Sequence, residues 1–305
     1  MKMQRGRRGL ASIAVLVAGA VVVLSALGAF GRLGGPAAGS SSATAASVAG
    51  AATAPATATS CSAKPTLVLV HGAWAGTSSW SGEVERLQAN GYVVRAIANP
   101  LRGLTSDAAD VADFLRTLSG PIVLVGHSYG GSVITNAAAG NPNVKALVYV
   151  DAAAPAVGET TAQLSGKTSA LGAAPNTLYD TAPIPGAPAG DTDLYLKETV
   201  FLQAFAPDLP TATAQRLWAS QRPAAMSAFT TRSAAAAWQT IPSWYVIGAA
   251  DQIITPQSQL MMAHRAHARI LLVPGGSHLT LISHPDAVTQ QILAAAQAAC
   301  ASARS

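Results

Sequence analysis

The sequence predicts an α/β domain, a mostly parallel, doubly wound sheet flanked by helices, with a helical cap inserted between core strands. Three observations predict it. Six short runs rich in Val, Ile and Leu recur between residues 66 and 273. Amphipathic segments of helical length separate most of them, the pattern of parallel strands joined by helical crossovers and covered on both faces. Between residues 155 and 241 the alternation stops, and an insertion rich in Pro and Gly, with scattered aromatic residues, takes its place.

The elements follow in order. The first strand is TLVLVH (66–71), with a helix over 80–90 behind it. YVVRAI (92–97) and a helix over 106–118 form the next unit, then PIVLVG (121–126) and a helix over 131–139, then VKALVYV (144–150). The cap, about 155–240, carries APIPGAPAGD (182–191) and the aromatic residues Tyr195, Phe201, Phe205, Trp218 and Phe229. PSWYVIG (242–248), a helix over 256–266, ARILLV (268–273) and a last helix over 286–299 complete the domain. About 240 residues suffice for one such domain with a large core.

Ahead of this domain, taken as 63–305, residues 1–35 read as a signal peptide or membrane anchor. Lys2, Arg5, Arg7 and Arg8 precede an apolar run from Leu10 to Phe30, and small residues follow it. The run is long enough to span a bilayer, which takes about 20 apolar residues. Residues 36–62, almost wholly Ala, Ser, Thr, Gly, Val and Pro, are expected to be a flexible linker. Export would place the domain in an oxidising compartment, where Cys61 and Cys300 are expected to form a disulfide tying its two ends together. In the chain-entropy model so long a loop is worth on the order of 4 to 5 kcal/mol.

The formal net charge of +5 belongs to the leader. Residues 1–60 hold five of the nineteen Lys and Arg and none of the fourteen Asp and Glu, so the rest of the chain is neutral. That removes the electrostatic case for nucleic-acid binding, which needs a concentrated basic face.

The chemistry starts at VLVGHSYGGSV (123–133), where a strand runs into Ser128 between Gly126 and Gly130. G-x-S-x-G at a strand-to-helix junction is a nucleophile elbow: the turn is too sharp for side chains at the glycines, and it holds the serine hydroxyl outward. A plain Gly-rich turn is the alternative for the motif taken by itself. A serine hydroxyl needs a base, and the base needs a group to orient it. His278, in the Gly-rich loop after the last strand, is the expected base, because chemistry gathers at the C-terminal edge of a parallel sheet. Asp251, after the strand ending near Gly248, is the expected orienting acid, favoured over Asp151, which follows VKALVYV. Oxyanion donors are expected from the backbone N–H groups of Tyr129 and of Ala73, in HGAWAGTSSW (71–80). Trp74, Phe201, Phe205 and Trp218 are candidate substrate contacts. His264 and His267, one helical turn apart, lack a third ligand, so no metal site is expected, and no cofactor.

Together LVHGAW, VGHSYGGSVI, GAADQIITP and GGSHLTLISHPDAV resemble the α/β-hydrolase superfamily over about residues 64–300. Within it the chain is similar to the small serine esterase branch that includes plant methylesterases and hydroxynitrile lyases, and most of all to bacterial α/β-fold hydrolases. The resemblance gives Ser128, Asp251 and His278 the triad positions, and Ala73 and Tyr129 the oxyanion amides. Hydroxynitrile lyases carry Thr where this chain has Gly72, and Lys where it has Leu279, which argues against cyanohydrin chemistry. The implied function is hydrolysis of carboxylic esters of small to medium apolar substrates through an acyl-enzyme. A weakly catalytic or non-catalytic ligand-binding protein on the same fold, or a lactonase or cofactor-free haloperoxidase, are the competing readings.

Overall fold

A computed structural model describes residues 64–302. Its strands are β1 (Thr66–Val70), β2 (Val94–Ile97), β3 (Ile122–His127), β4 (Val144–Val150), β5 (Tyr179–Pro183), β6 (Thr192–Leu196), β7 (Ala224–Ala225), β8 (Ser243–Gly248) and β9 (Arg269–Val273). Its helices are α1 (Ser81–Ala89), α2 (Leu104–Arg116), α3 (Tyr129–Ala137), α4 (Pro175–Leu178), α5 (Glu198–Val200), α6 (Thr211–Ala219), α7 (Met226–Thr230), α8 (Pro256–Arg265), α9 (Thr280–Ser283) and α10 (Pro285–Ser302). The six predicted strands are all present, in one sheet of order β2-β1-β3-β4-β8-β9, and every pairing is parallel.

The runs of β-branched and Leu residues form these strands because both faces are covered. Leu67 to Val70, Ile122 to Val125, Ala146 to Val150 and Tyr245 to Ile247 are all completely buried. β1 is the strand from which the chain first moves outward to β2 and then crosses back to β3. A crevice forms at the C-terminal ends of such a pair, where the order reverses. Val70 is in register with Gly126, so the loops after β1 and β3 leave the sheet side by side.

The cap between β4 and β8 adds to its helices a small antiparallel sheet, β5-β6-β7, absent from the sequence expectation. Its strands are short, and Pro183 ends β5 at a sheet edge, where a missing N–H costs no ladder bond. α8 stops at Arg265, and His267 takes a left-handed conformation (φ 48°), so His264 and His267 do not share a helix face. Among the described residues no helix is long and apolar enough to cross a membrane. Cys300 lies in α10 and is not a free thiol. Its expected partner Cys61, the expected linker and the leader lie outside the described residues.

Candidate active site

Ser128 stands between β3 and α3 with φ 54° and ψ −124°, a strained conformation for a residue with a side chain. The flanking glycines are steric necessities. A Cβ on Gly126 would lie 2.6 Å from Gly130 O, and one on Gly130 would lie 2.5 Å from Val70 O. Gly72 is excluded from substitution by the same crowding, since its Cβ would come within 2.5 Å of Ser128 Cβ. A threonine there, as in hydroxynitrile lyases, would need this loop to move.

Ser128 Oγ is 2.8 Å from His278 Nε2, and His278 Nδ1 is 2.8 Å from Asp251 Oδ2. An ionised carboxylate only accepts, so Nδ1 carries the proton and Nε2 is left to accept from the serine hydroxyl. The group is enclosed: Ser128 is 5% exposed, Asp251 3% and His278 not at all. Asp251 has further donors to offset that burial. Its Oδ1 accepts from the N–H of Ile253 (2.8 Å) and Ile254 (3.2 Å), and its Oδ2 from the buried side-chain amide of Gln259 (2.7 Å). Gln259 was not among the sequence candidates.

Asp151 serves other partners. Its carboxyl accepts from Gly248 N–H (2.8 Å) and Thr280 N–H (3.0 Å), tying the end of β8 to the loop that carries His278. Complete burial, reinforced by the nearby Asp251 charge, pushes it up to about 7. His127, beside the elbow, reaches the same loop, its Nε2–H donating to His278 O at 2.8 Å.

On the opposite side of the crevice His71 Nδ1–H donates to Gly72 O (2.8 Å), while His71 Nε2 accepts from Asn99 N–H (3.0 Å). Burial, with a smaller contribution from the Arg222 charge, lowers His71 to about 4, so the ring is neutral at ordinary pH. The Gly72 carbonyl and the Ala73 N–H belong to one planar peptide, and fixing the first orients the second. Among the described residues Ala73 N–H has no backbone or side-chain acceptor, whereas the next amide, Trp74 N–H, is held by Arg222 O at 3.1 Å. Tyr129 N–H opens α3, where the unpaired amides and the helix dipole favour negative charge. The Tyr129 hydroxyl turns away and donates to the buried Asp107 at 2.7 Å.

Trp74 is buried with φ 56°, its indole N–H donating to Leu194 O at 2.9 Å. Tyr179 and Phe229 stack on it at 5.8 and 5.2 Å, and Phe205 meets it edge-on at 5.9 Å. It contributes to a cavity of about 250 Å³, also lined by Phe201, Phe205, Arg222 and Leu279. Tyr179 and Phe229 line a second cavity of about 240 Å³ with Leu171, Leu178, Leu194 and Met226. Trp218 lies outside both linings, donating its indole N–H to Leu196 O at 2.9 Å, while its neighbour Leu217 lines the first.

A six-stranded parallel sheet with a serine elbow, a His–Asp pair beside it and a cap over the strand ends defines a hydrolase-type α/β protein. The chain belongs to the alpha/beta hydrolase family, whose sequence pattern matches residues 67–291. A carbendazim-hydrolyzing esterase of Nocardioides sp. (strain SG-4G) is 33% identical over 106 residues, a match covering 30% of this chain and 44% of that protein. This chain thus spans less than half the length of that relative. The crystal structure of polyneuridine aldehyde esterase superimposes with a TM-score of 0.65 at 17% identity, over 76% of this chain and 99% of that one. An extracellular alpha/beta-hydrolase from a Paenibacillus species, described as sharing structural and functional homology with tobacco salicylic acid binding protein 2, gives 0.61 at 22%, over 76% and 98%. At these identities the structural likenesses establish the fold.

Proposed function

We propose that the chain is an exported serine hydrolase that cleaves carboxylic esters of small to medium substrates with an apolar acyl part. The observation that carries the reading is the unbroken hydrogen-bonded series Ser128 Oγ, His278 Nε2, His278 Nδ1, Asp251 Oδ2, with both contacts at 2.8 Å. In the first step Ser128 Oγ attacks the ester carbonyl as its proton passes to His278 Nε2. Asp251 holds the imidazole in the required tautomer and stabilises the imidazolium. The tetrahedral oxyanion takes hydrogen bonds from Ala73 N–H and Tyr129 N–H. His278 then protonates the departing alcohol, and water activated by the same nitrogen releases the acid from Ser128. The second cavity adjoins the oxyanion loop through Tyr179 and Phe229, which stack on Trp74 beside Ala73, and its apolar lining supports an apolar acyl group. The basic and apolar leader supports export, and with it a Cys61–Cys300 disulfide, for which the intact mass must be two hydrogens short of the reduced chain.

The test is covalent labelling by a fluorophosphonate, with turnover of 4-nitrophenyl esters read in parallel. Wild type should label at residue 128 and Ser128→Ala should not, with hydrolysis falling at least about 10³-fold in the variant. Unlabelled wild type without turnover would instead favour a ligand-binding protein on this fold.

A further inference from the structure

Arg222 is placed as a side chain waiting for an anion. Among the described residues no carboxylate lies within 4.0 Å of its guanidinium. Its one side-chain hydrogen-bond contact, 3.4 Å to His71 Nε2, is to a lone pair already used by Asn99 N–H at 3.0 Å. The residue is half-buried and lines the 250 Å³ cavity together with Thr77, Ser78 and Ser220, over an apolar floor that includes Phe205 and Leu279. A partly desolvated guanidinium with spare donors is matched by a carboxylate, which it can bind through two parallel bonds.

Neither cavity is lined by Ser128 or His278, but the first adjoins His278. Phe205 packs edge-on against the His278 ring at 5.0 Å, and Leu279 follows His278 in the chain. The alcohol takes its proton from His278, and of the two cavities only the first is lined by a residue packed on His278 (Phe205) and by its chain neighbour (Leu279), which assigns the alcohol part to it. Resting on the esterase reading above, we propose that the substrates are esters whose alcohol carries a carboxylate, and that Arg222 is the residue that recognises it. Specificity is then divided: an apolar acyl group in the second cavity, an anionic leaving group in the first.

The experiment compares kcat/KM for para-acetoxybenzoate with that for the neutral isostere para-acetoxybenzamide, in wild type, Arg222→Gln and Arg222→Lys. A matched pair with the charge on the acyl side, 4-nitrophenyl hydrogen glutarate and its terminal amide, is run alongside. Wild type should prefer para-acetoxybenzoate by about tenfold or more, the scale of a hydrogen bond to a charged group. Arg222→Gln should erase that ratio, and Arg222→Lys should keep only part of it. Because each ratio is internal to one protein, a loss of folded enzyme does not mimic the result. An unchanged ratio in Arg222→Gln, or a charge preference confined to the acyl-side pair, overturns the proposal while fluorophosphonate labelling of Ser128 still stands. Loss of labelling in wild type removes the esterase reading and the proposal together.

Discussion

His71 makes no contact with the triad, yet it holds the peptide that carries a proposed oxyanion donor. Its Nδ1–H fixes the Gly72 carbonyl at 2.8 Å, and the same peptide carries the Ala73 N–H proposed to bind the oxyanion. Replacing His71 by Leu frees that peptide to rotate, while Tyr129 N–H stays fixed at the start of α3. One oxyanion donor of two is then lost or misaimed, which is worth about 10²- to 10³-fold in kcat. A ground-state carbonyl gains little from the donor, so KM should hardly change. His71→Asn separates this effect from simple damage. Its side-chain N–H overlays Nδ1 and keeps the bond to Gly72 O, but it cannot reach Asn99 N–H, whose buried donor is then unpaired at a cost of about 1 to 3 kcal/mol. Both variants should melt earlier than wild type. Only His71→Leu should lose the full factor in kcat, with His71→Asn within about tenfold of wild type. Steady-state kinetics on a 4-nitrophenyl ester beside thermal melts read both quantities. Wild-type kcat in His71→Leu, or an equally poor His71→Asn, would refute the reasoning.

Two further outcomes follow from other buried groups. Asp251→Asn should leave the fold intact but reduce kcat by up to about 10⁴-fold, because the amide favours the wrong imidazole tautomer, and single-turnover kinetics with an activated ester measures the loss. Glu83 in α1 is fully buried with both carboxyl oxygens unpaired, and burial pushes it up to about 9. Its raised pKa means the folded protein keeps a proton that the unfolded chain releases above about pH 4.5, so its contribution to stability is complete below that pH and is lost as pH rises toward 9. Glu83→Gln should therefore match wild type near pH 4 and exceed it by about 4 kcal/mol near pH 7.5, read from denaturant midpoints at the two pH values. A difference independent of pH would rule this out.

The strands were legible because a parallel sheet covered on both faces demands continuous apolar runs, and TLVLV, IVLVGH and SWYVIG are such runs. The positions of Ser128, Asp251 and His278 could be read because each follows its own strand at one edge of the sheet, in loops rich in glycine. The cap sheet was not legible: β5 and β6 are five-residue strands separated by a Pro- and Gly-rich connection, which reads as loop. Nor were the supporting contacts. Gln259 lies on α8 with a sequence context no different from any polar helix position, and only the fold turns its amide onto Asp251. Arg222 is 151 residues from His71, a neighbour that no local pattern announces. His127 adjoins Ser128 in the chain, but its bond to the His278 carbonyl needs β3 and the loop after β9 to be brought together.

Trp74 joins two parts of the molecule that are far apart in the sequence. Its backbone N–H is held by Arg222 O and its indole N–H by Leu194 O, both in the cap, and its peptide neighbour is Ala73. The amide next to the proposed oxyanion donor is thus tied to two separate points of the cap. The aim of the proposed oxyanion amide and the seating of the cap are therefore fixed through one side chain.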